Sequence, residues 1–229
     1  MRPLPPSLAE LAGQQRGVFT RAQAEAHGLS PAQVRRRLAD GLWATVLPGA
    51  YVLSGQPVDV RAQDIAAFLR VPDAVLGGPS AARVLAAAGG DGRCGEAAGR
   101  RGGAGSGAVW RSGPLGAVAS ADPRSYLVLP GSRGPGMAGV RYLGGELGEG
   151  DIQIVGGLAV TRLARTVFDC AALQDPDGAL LVLREALARE WLTVGELSRR
   201  IQQHLGRRGA PMLAGVMRRL VGVGERSGV

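Results

Sequence analysis

The sequence predicts an α+β fold, and three observations carry that prediction. Residues 17–38 alternate helix stops and starts in a way that gives two short helices around a tight turn. Leu42–Leu53 is an apolar, β-favouring run interrupted at Pro48-Gly49. Farther on, Ser125–Leu129, Gly139–Leu143 and Ile152–Val155 read as short strands of a small mixed sheet, after which the apolar spacing changes to about 3.6 and helices take over.

Each boundary in the first segment has a chemical cause. The Thr20 hydroxyl can cap the first helix, Gly28 stands where a helix end needs positive φ, and Ser30-Pro31 supplies an N-cap and a preset first turn for the second. On that second helix Val34 and Leu38 share a face. Ala32, Gln33 and Arg36 point away from it, with Arg35 and Arg37 on the flanks. Pro48-Gly49 is the pair a type II turn prefers, so Leu42–Leu53 should form a hairpin directly after the basic helix. Two helices, a turn and a hairpin in this order predict a winged helix-turn-helix. The plainer alternative is a solvated basic helix in a small structural domain. Trp43 and Tyr51 are expected in the core of the hairpin rather than stacked on a base.

Beyond the hairpin, Asp59–Arg70 places Val60, Ile65, Ala66, Phe68 and Leu69 on one helical side, which should pack back on the N-terminal unit. Pro79–Ala88 is a small-residue helix ending at Gly89-Gly90, and Gly89–Gly116, with Arg100, Arg101 and Trp110, reads as a Gly-rich insertion. Helices are predicted over Arg162–Leu173, Asp177–Glu190, Thr193–Leu205 and Pro211–Leu220, with Thr161, Asp177 and Thr193 as caps. The expected division is a DNA-binding unit over 1–72, an α/β region over 73–157 containing the insertion 89–116, and a helical region over 158–229.

Composition narrows the function classes. All 27 basic side chains of the 229-residue chain are Arg, against 19 acids, giving a net charge of +8. Part of that excess reflects codon usage, since Gly and Ala are abundant and Lys and Asn are absent. The charge still favours a polyanionic partner. The C-terminal cluster Arg199, Arg200, Arg207, Arg208, Arg218 and Arg219 fits a nucleic-acid backbone, an acidic partner or a solvated helix face. Cys94 and Cys170 stand far apart in unlike contexts, which gives neither a disulfide framework nor a zinc spacing. Met1–Ser7 has no apolar leader, and no run approaches the ~18 apolar residues of a membrane span. A cytoplasmic protein without membrane association is expected.

No catalytic constellation is legible. Without Lys there is no Walker loop, Schiff base or kinase ion pair. His27 and His204 lack neighbouring metal-ligand motifs, and His27 beside Gly28 reads as a helix-end residue. Asp169, one turn after Arg165, reads as an i, i+4 pair bracing its helix against the sheet. No cofactor, metal site or enzymatic activity is expected.

The stretch Leu8–Leu53, with its "GVFTRAQA" opening, "GLS-x-x-Q-x-RRRL" second helix and "W…PG-x-Y" hairpin, resembles the N-terminal domain of AbiEi-type antitoxins. Asp151–Ala171 is similar to the "V-x-G-L-P-V-T-x-x-A-R-T-x-x-D-x-A" block of actinobacterial members, with the similarity weakest over 77–124. The chain departs from the family in having no charge between Ala44 and Leu53, where relatives carry Arg or His beside the Pro-Gly turn. It also ends near where longer relatives begin a Vsr-like endonuclease domain. A naturally short chain and a remnant of a longer one are both compatible with this.

The residue reading expects Gln33 and Arg36 to contact bases in the major groove of double-stranded DNA. Thr20, Arg21, Arg35 and Arg37 are expected to hold phosphates, with Ser30 among the DNA-facing residues. The resemblance implies a regulator that represses its own promoter and opposes a nucleotidyltransferase-like toxin without an inferred direct contact; if the operator is an inverted repeat, two copies should occupy half-sites about one helical turn apart. The alternative is a DNA-targeting or interaction fragment associated with a Vsr-like endonuclease.

Overall fold

The computed structural model describes residues 4–88, 113–130, 134–206 and 209–224. Helix α1 (Pro6–Gln14) leads into β1 (Val18–Thr20), α2 (Arg21–Ala26), α3 (Pro31–Ala39), β2 (Trp43–Leu47) and β3 (Ala50–Leu53). The three strands pair antiparallel in the order β1-β3-β2. Gly49 turns the hairpin at φ +76°, the sign a type II turn demands of its third residue. Val46 is the extra residue of a bulge, because Thr45 faces Tyr51 while Leu47 already faces Ala50.

This small sheet is buried on both faces, and its residues alternate accordingly. Phe19, Trp43 and Tyr51 face one way, into a cluster with Leu8, Ala12, Ala24 and Val34 from the three N-terminal helices and Leu29 from the turn between α2 and α3. Val18, Leu47, Ala50 and Val52 face the other way, against Ala62, Ile65 and Ala66 of α4 (Val60–Arg70). Period-two alternation is the rule for strands, but here both sides carry core residues, and only Thr45 of the edge strand β2 is exposed. Phe19 meets Trp43 edge-on with centroids 4.7 Å apart, and Trp43 stacks on Tyr51 at 5.9 Å. Both aromatic residues thus lie in the core, as their sequence context suggests.

Helix α4 is capped by Asp59, which accepts from the Ala62 amide at 2.8 Å. Its buried face is centred on Ala62, Ile65 and Ala66 and includes Asp64; Val60, Phe68 and Leu69 are only half-buried. The second sheet follows, with β4 (Val75–Leu76), β5 (Ser125–Val128), β6 (Val140–Leu143), β7 (Ile152–Val155) and β8 (Leu158–Thr161) in the order β6-β5-β4-β8-β7. It is mixed: β4 pairs antiparallel with β5 and parallel with β8, β5 pairs parallel with β6, and β7 and β8 form an antiparallel hairpin. Two of its strands, β4 and β8, escape the sequence reading. β4 is only two residues long, and β8 runs straight into a helix.

Helix α5 (Gly78–Ala87) packs against β5 and β8 of this sheet, and α6 (Pro114–Ala121) packs on α5. The Gly-rich stretch is described only from Gly113, where α6 begins. Arg100, Arg101, Trp110 and Cys94 lie outside the described residues, as does the Gly89-Gly90 helix end. The C-terminal helices are α7 (Leu163–Ala172), α8 (Pro176–Ala188), α9 (Val194–Gln203) and α10 (Ala210–Gly224). On α8, Ala179, Val182, Leu183 and Ala186 form the buried stripe expected of an amphipathic helix.

Two predicted caps move. The cap of α8 is Asp175, which accepts from the Gly178 amide at 2.7 Å; Asp177 already lies in the first helical turn. Pro176 explains the shift, since its fixed φ suits the first helical position. Thr161 still pairs with Ile152 in the strand, and its hydroxyl meets that of Thr166 at 2.7 Å, so Arg162 occupies the cap position of α7. Thr193 does cap α9, in a reciprocal box with Glu196.

Two buried polar clusters hold the pieces together. Arg83 of α5 donates to Asp64 of α4, and also to the carbonyls of Ala119, Asp122 and Arg124. Ser80 donates to Asp64 at 2.6 Å and accepts from the Tyr126 amide of β5. In the C-terminal half, Arg165 is fully buried and shares its Nε between both oxygens of Asp169 at 3.0 Å. Asp151, at the mouth of β7, lies 3.8 Å from Arg165 and 2.8 Å from Arg200 of α9. The Arg165–Asp169 pair therefore braces α7, and the chain of charges extends that brace to β7 and α9.

Candidate nucleic-acid interface

The helix-turn-helix is set by two capping boxes. Thr20 accepts from the Gln23 amide at 3.1 Å, and Gln23 Oε1 accepts from the Thr20 amide at 2.8 Å. Ser30 and Gln33 repeat the motif at 3.3 and 2.8 Å. Between them Gly28 adopts φ +85° and Leu29 turns inward, its amide donating to the Ala24 carbonyl. His27, at the end of α2, holds Ser7 of α1 through Nδ1 at 2.8 Å.

These bonds fix where each expected contact residue lies. Arg36 points into solvent, its side chain 80% exposed, with Asp40 at 3.6 Å. Arg35 is exposed beside it and carries no ion pair among the described residues. Arg21 is exposed at the start of α2 and gives its Nε to Glu25 at 2.7 Å. Ser30 is exposed, while Gln33 is half-buried with its amide oxygen already engaged by the Ser30 backbone.

Two residues sit deeper than the helical-wheel reading placed them. Arg37 is only 9% exposed; its guanidinium lies 5.6 Å from the Trp43 ring and donates to the Gln33 carbonyl at 3.4 Å. Three positions after Val34 is only about 60° around the helix from it, so Arg37 belongs to the edge of the buried face. The Trp43 ring accommodates it as a cation–π partner, and the apolar stem covers the core. Thr20 is buried at 5%, as befits the last residue of β1.

One basic residue reaches this unit from outside it. Arg70, the last residue of α4, lies against the hairpin turn: a Cβ placed on Gly49 would meet its Nη1 at 3.2 Å. The same turn is tied to the start of α2, because the Arg21 amide donates to the Gly49 carbonyl at 2.8 Å. No periodicity links Arg70 to Gly49, and only the packing of α4 on the sheet brings them together.

The C-terminal basic cluster divides. Arg200 is buried on Asp151, and Arg219 pairs with Asp177 at 3.1 Å. Arg207 and Arg208 lie outside the described residues. Among the described residues no three metal-ligating side chains converge, and no helix is long and apolar enough to cross a membrane.

Helix α3 after a tight turn, backed by a three-stranded sheet with a hairpin, defines the N-terminal unit as a winged helix-turn-helix, the architecture of DNA-binding regulators. Residues 6–54 match the family model described as "Transcriptional regulator, AbiEi antitoxin". The match begins with α1 and ends just past β3, so it covers the winged unit. No curated protein matches the chain.

Proposed function

We propose that this protein is a sequence-specific DNA-binding regulator that inserts α3 into the major groove. The observation that carries the reading is the exposed Arg35–Arg36 pair on the second helix of a unit matched to antitoxin regulators. Arg36 is the base reader, since a guanidinium can bond guanine O6 and N7 together. Arg35 neutralises a flanking phosphate, Arg21 offers another the N–H donors that Glu25 leaves open, and the Ser30 hydroxyl is a further donor at the α3 start. Gln33 contributes through its amide nitrogen, its oxygen being held by the cap. In this reading Arg37 and Thr20 act by holding α3 and α2 in place.

The likeness to AbiEi antitoxins supports a finer assignment. The protein represses its own promoter and counters a nucleotidyltransferase-like toxin through a functional link that needs no stable complex. An inverted repeat in that promoter would seat two copies about one helical turn apart.

The test is binding of the purified chain to its own upstream DNA against a scrambled duplex of equal length, at low and moderate salt. A preference for the upstream sequence that survives the higher salt supports a specific regulator. Equal binding to both duplexes, quenched by salt, would reduce the protein to a basic surface and overturn the reading. Promoter-reporter repression by the intact chain, lost in Arg36→Ala, tests autoregulation.

A further inference from the structure

We infer that Arg70 supplies the phosphate contact that the hairpin itself lacks, making the wing turn a two-element anion site for the DNA backbone. This rests on the DNA-binding reading above. Between Ala44 and Leu53 the hairpin has no charged side chain, so its own residues cannot neutralise a phosphate. The nearest cation with a demonstrated position at the turn is Arg70, whose guanidinium occupies the space beside Gly49. It is exposed, and among the described residues it carries no ion pair. Arg21, joined to the same glycine through its backbone, has its charge offset by Glu25 at 2.7 Å. Arg70 therefore brings the net positive charge to this corner.

The geometry also explains why the turn is bare. Gly49 needs positive φ for the hairpin, and a Cβ there would sit tight against the guanidinium, 3.2 Å from Nη1. The planar group can lie over the turn and still offer its remaining N–H donors to a phosphodiester oxygen. The Lys-free sequence makes the same point from another side: every cation in this chain is an Arg, suited to such a fork.

The experiment compares the full-length wild type with Arg70→Ala and Arg70→Gln on the upstream and scrambled duplexes across 50 to 200 mM salt. Both variants should lose affinity for both duplexes to a similar degree, because a phosphate contact carries no base information. The salt slope should fall by about 1, so the gap to wild type narrows about threefold to fourfold over that range. Arg70→Gln keeps part of the stem over the turn and guards against misfolding of the alanine variant; unchanged thermal midpoints confirm the comparison. Wild-type binding with unaltered slope and affinity in Arg70→Gln would overturn this inference alone. Failure of the wild type to bind either duplex would overturn the DNA-binding reading and this inference with it.

Discussion

Arg83 and Asp64 form a two-point buried salt bridge, Nε to Oδ2 at 2.8 Å and Nη2 to Oδ1 at 2.9 Å, between the helix that backs the wing and the helix that opens the second sheet. Among the described residues, every other hydrogen bond of the guanidinium goes to Ser80 or to a carbonyl between Ala119 and Arg124. The cluster thus ties α4, α5 and the stretch from Ala119 to Tyr126 into one joint.

Removing one side of this joint should be costly. Arg83→Met leaves Asp64 buried without its cation and three carbonyls short of a donor, and a loss of about 3–5 kcal/mol is expected. Urea unfolding checks it. A loss under about 1 kcal/mol would mean that water or another side chain replaces the guanidinium.

The two exposed arginines of α3 should separate cleanly. Arg36→Ala is expected to cost about 1–3 kcal/mol of operator binding and to relax preference at one base pair. Arg35→Ala should weaken all duplexes alike and lower the salt slope by about 1. Binding to a library of single-substitution operators distinguishes them, and equal loss of base preference in both variants would contradict the assignment.

Arg37→Ala should behave as a stability variant. Loss of the Trp43 contact and of the stem packing predicts about 1–2 kcal/mol of destabilisation. Its salt slope for DNA should match the wild type at temperatures where both are folded. A slope reduced as in Arg35→Ala would show that Arg37 leaves the core to reach a phosphate.

The acid side of the stability profile should carry two opposite trends. Burial pushes the Asp169 carboxyl up to about 6, and the adjacent Arg165 offsets this only in part. An unfolded carboxyl releases its proton near pH ~3.9, so between about pH 4 and 6 the folded state holds a proton that the unfolded state does not. Stability from this group therefore falls as pH rises through that window. Asp122 is held below the usual range by its Arg124 hydrogen bonds. Burial opposes ionisation of Asp151, but the Arg200 bond and charge outweigh it and lower its pKa too. Both contribute stability above the unfolded value that is lost in more acid solution. Denaturant midpoints from pH 3 to 7 should pass through a maximum in the wild type, and Asp169→Asn should flatten the limb between about 4 and 6. An unchanged limb in that variant would assign the trend to another group.

Local chemistry made the first third of the fold legible. Thr20, Gly28, Ser30 and Pro48-Gly49 each dictate a backbone event within a few residues, and each event is found where those residues stand. The same rule explains Thr193 and the near miss at Asp177, where two Asp residues flank one proline and either could start the helix. What stayed hidden depends on distance along the chain. Strand β4 is two residues long and exists because β5 and β8 flank it. The helical wheel treats each residue as alone against a generic core, so it could not foresee that Trp43 would draw Arg37 inward; Gln33 is different, since Ser30-x-x-Gln33 is a capping-box pattern that the wheel alone passes over. Arg70 comes to the wing turn from 21 positions away, through packing that no local pattern encodes.

The three-stranded sheet beneath α3 is a party wall. Its odd residues Phe19, Trp43 and Tyr51 furnish one room and its even residues Val18, Ala50 and Val52 the other, with Leu47 shifted to that side by the bulge at Val46. A slip of one residue in the register of β3 would exchange the furniture, driving the Tyr51 ring toward α4 and small side chains toward the aromatic stack. Lengthening the turn at Pro48-Gly49 is therefore an alteration to both rooms. The length of this wing is fixed from behind, by the body of the protein, as firmly as by anything it touches in front.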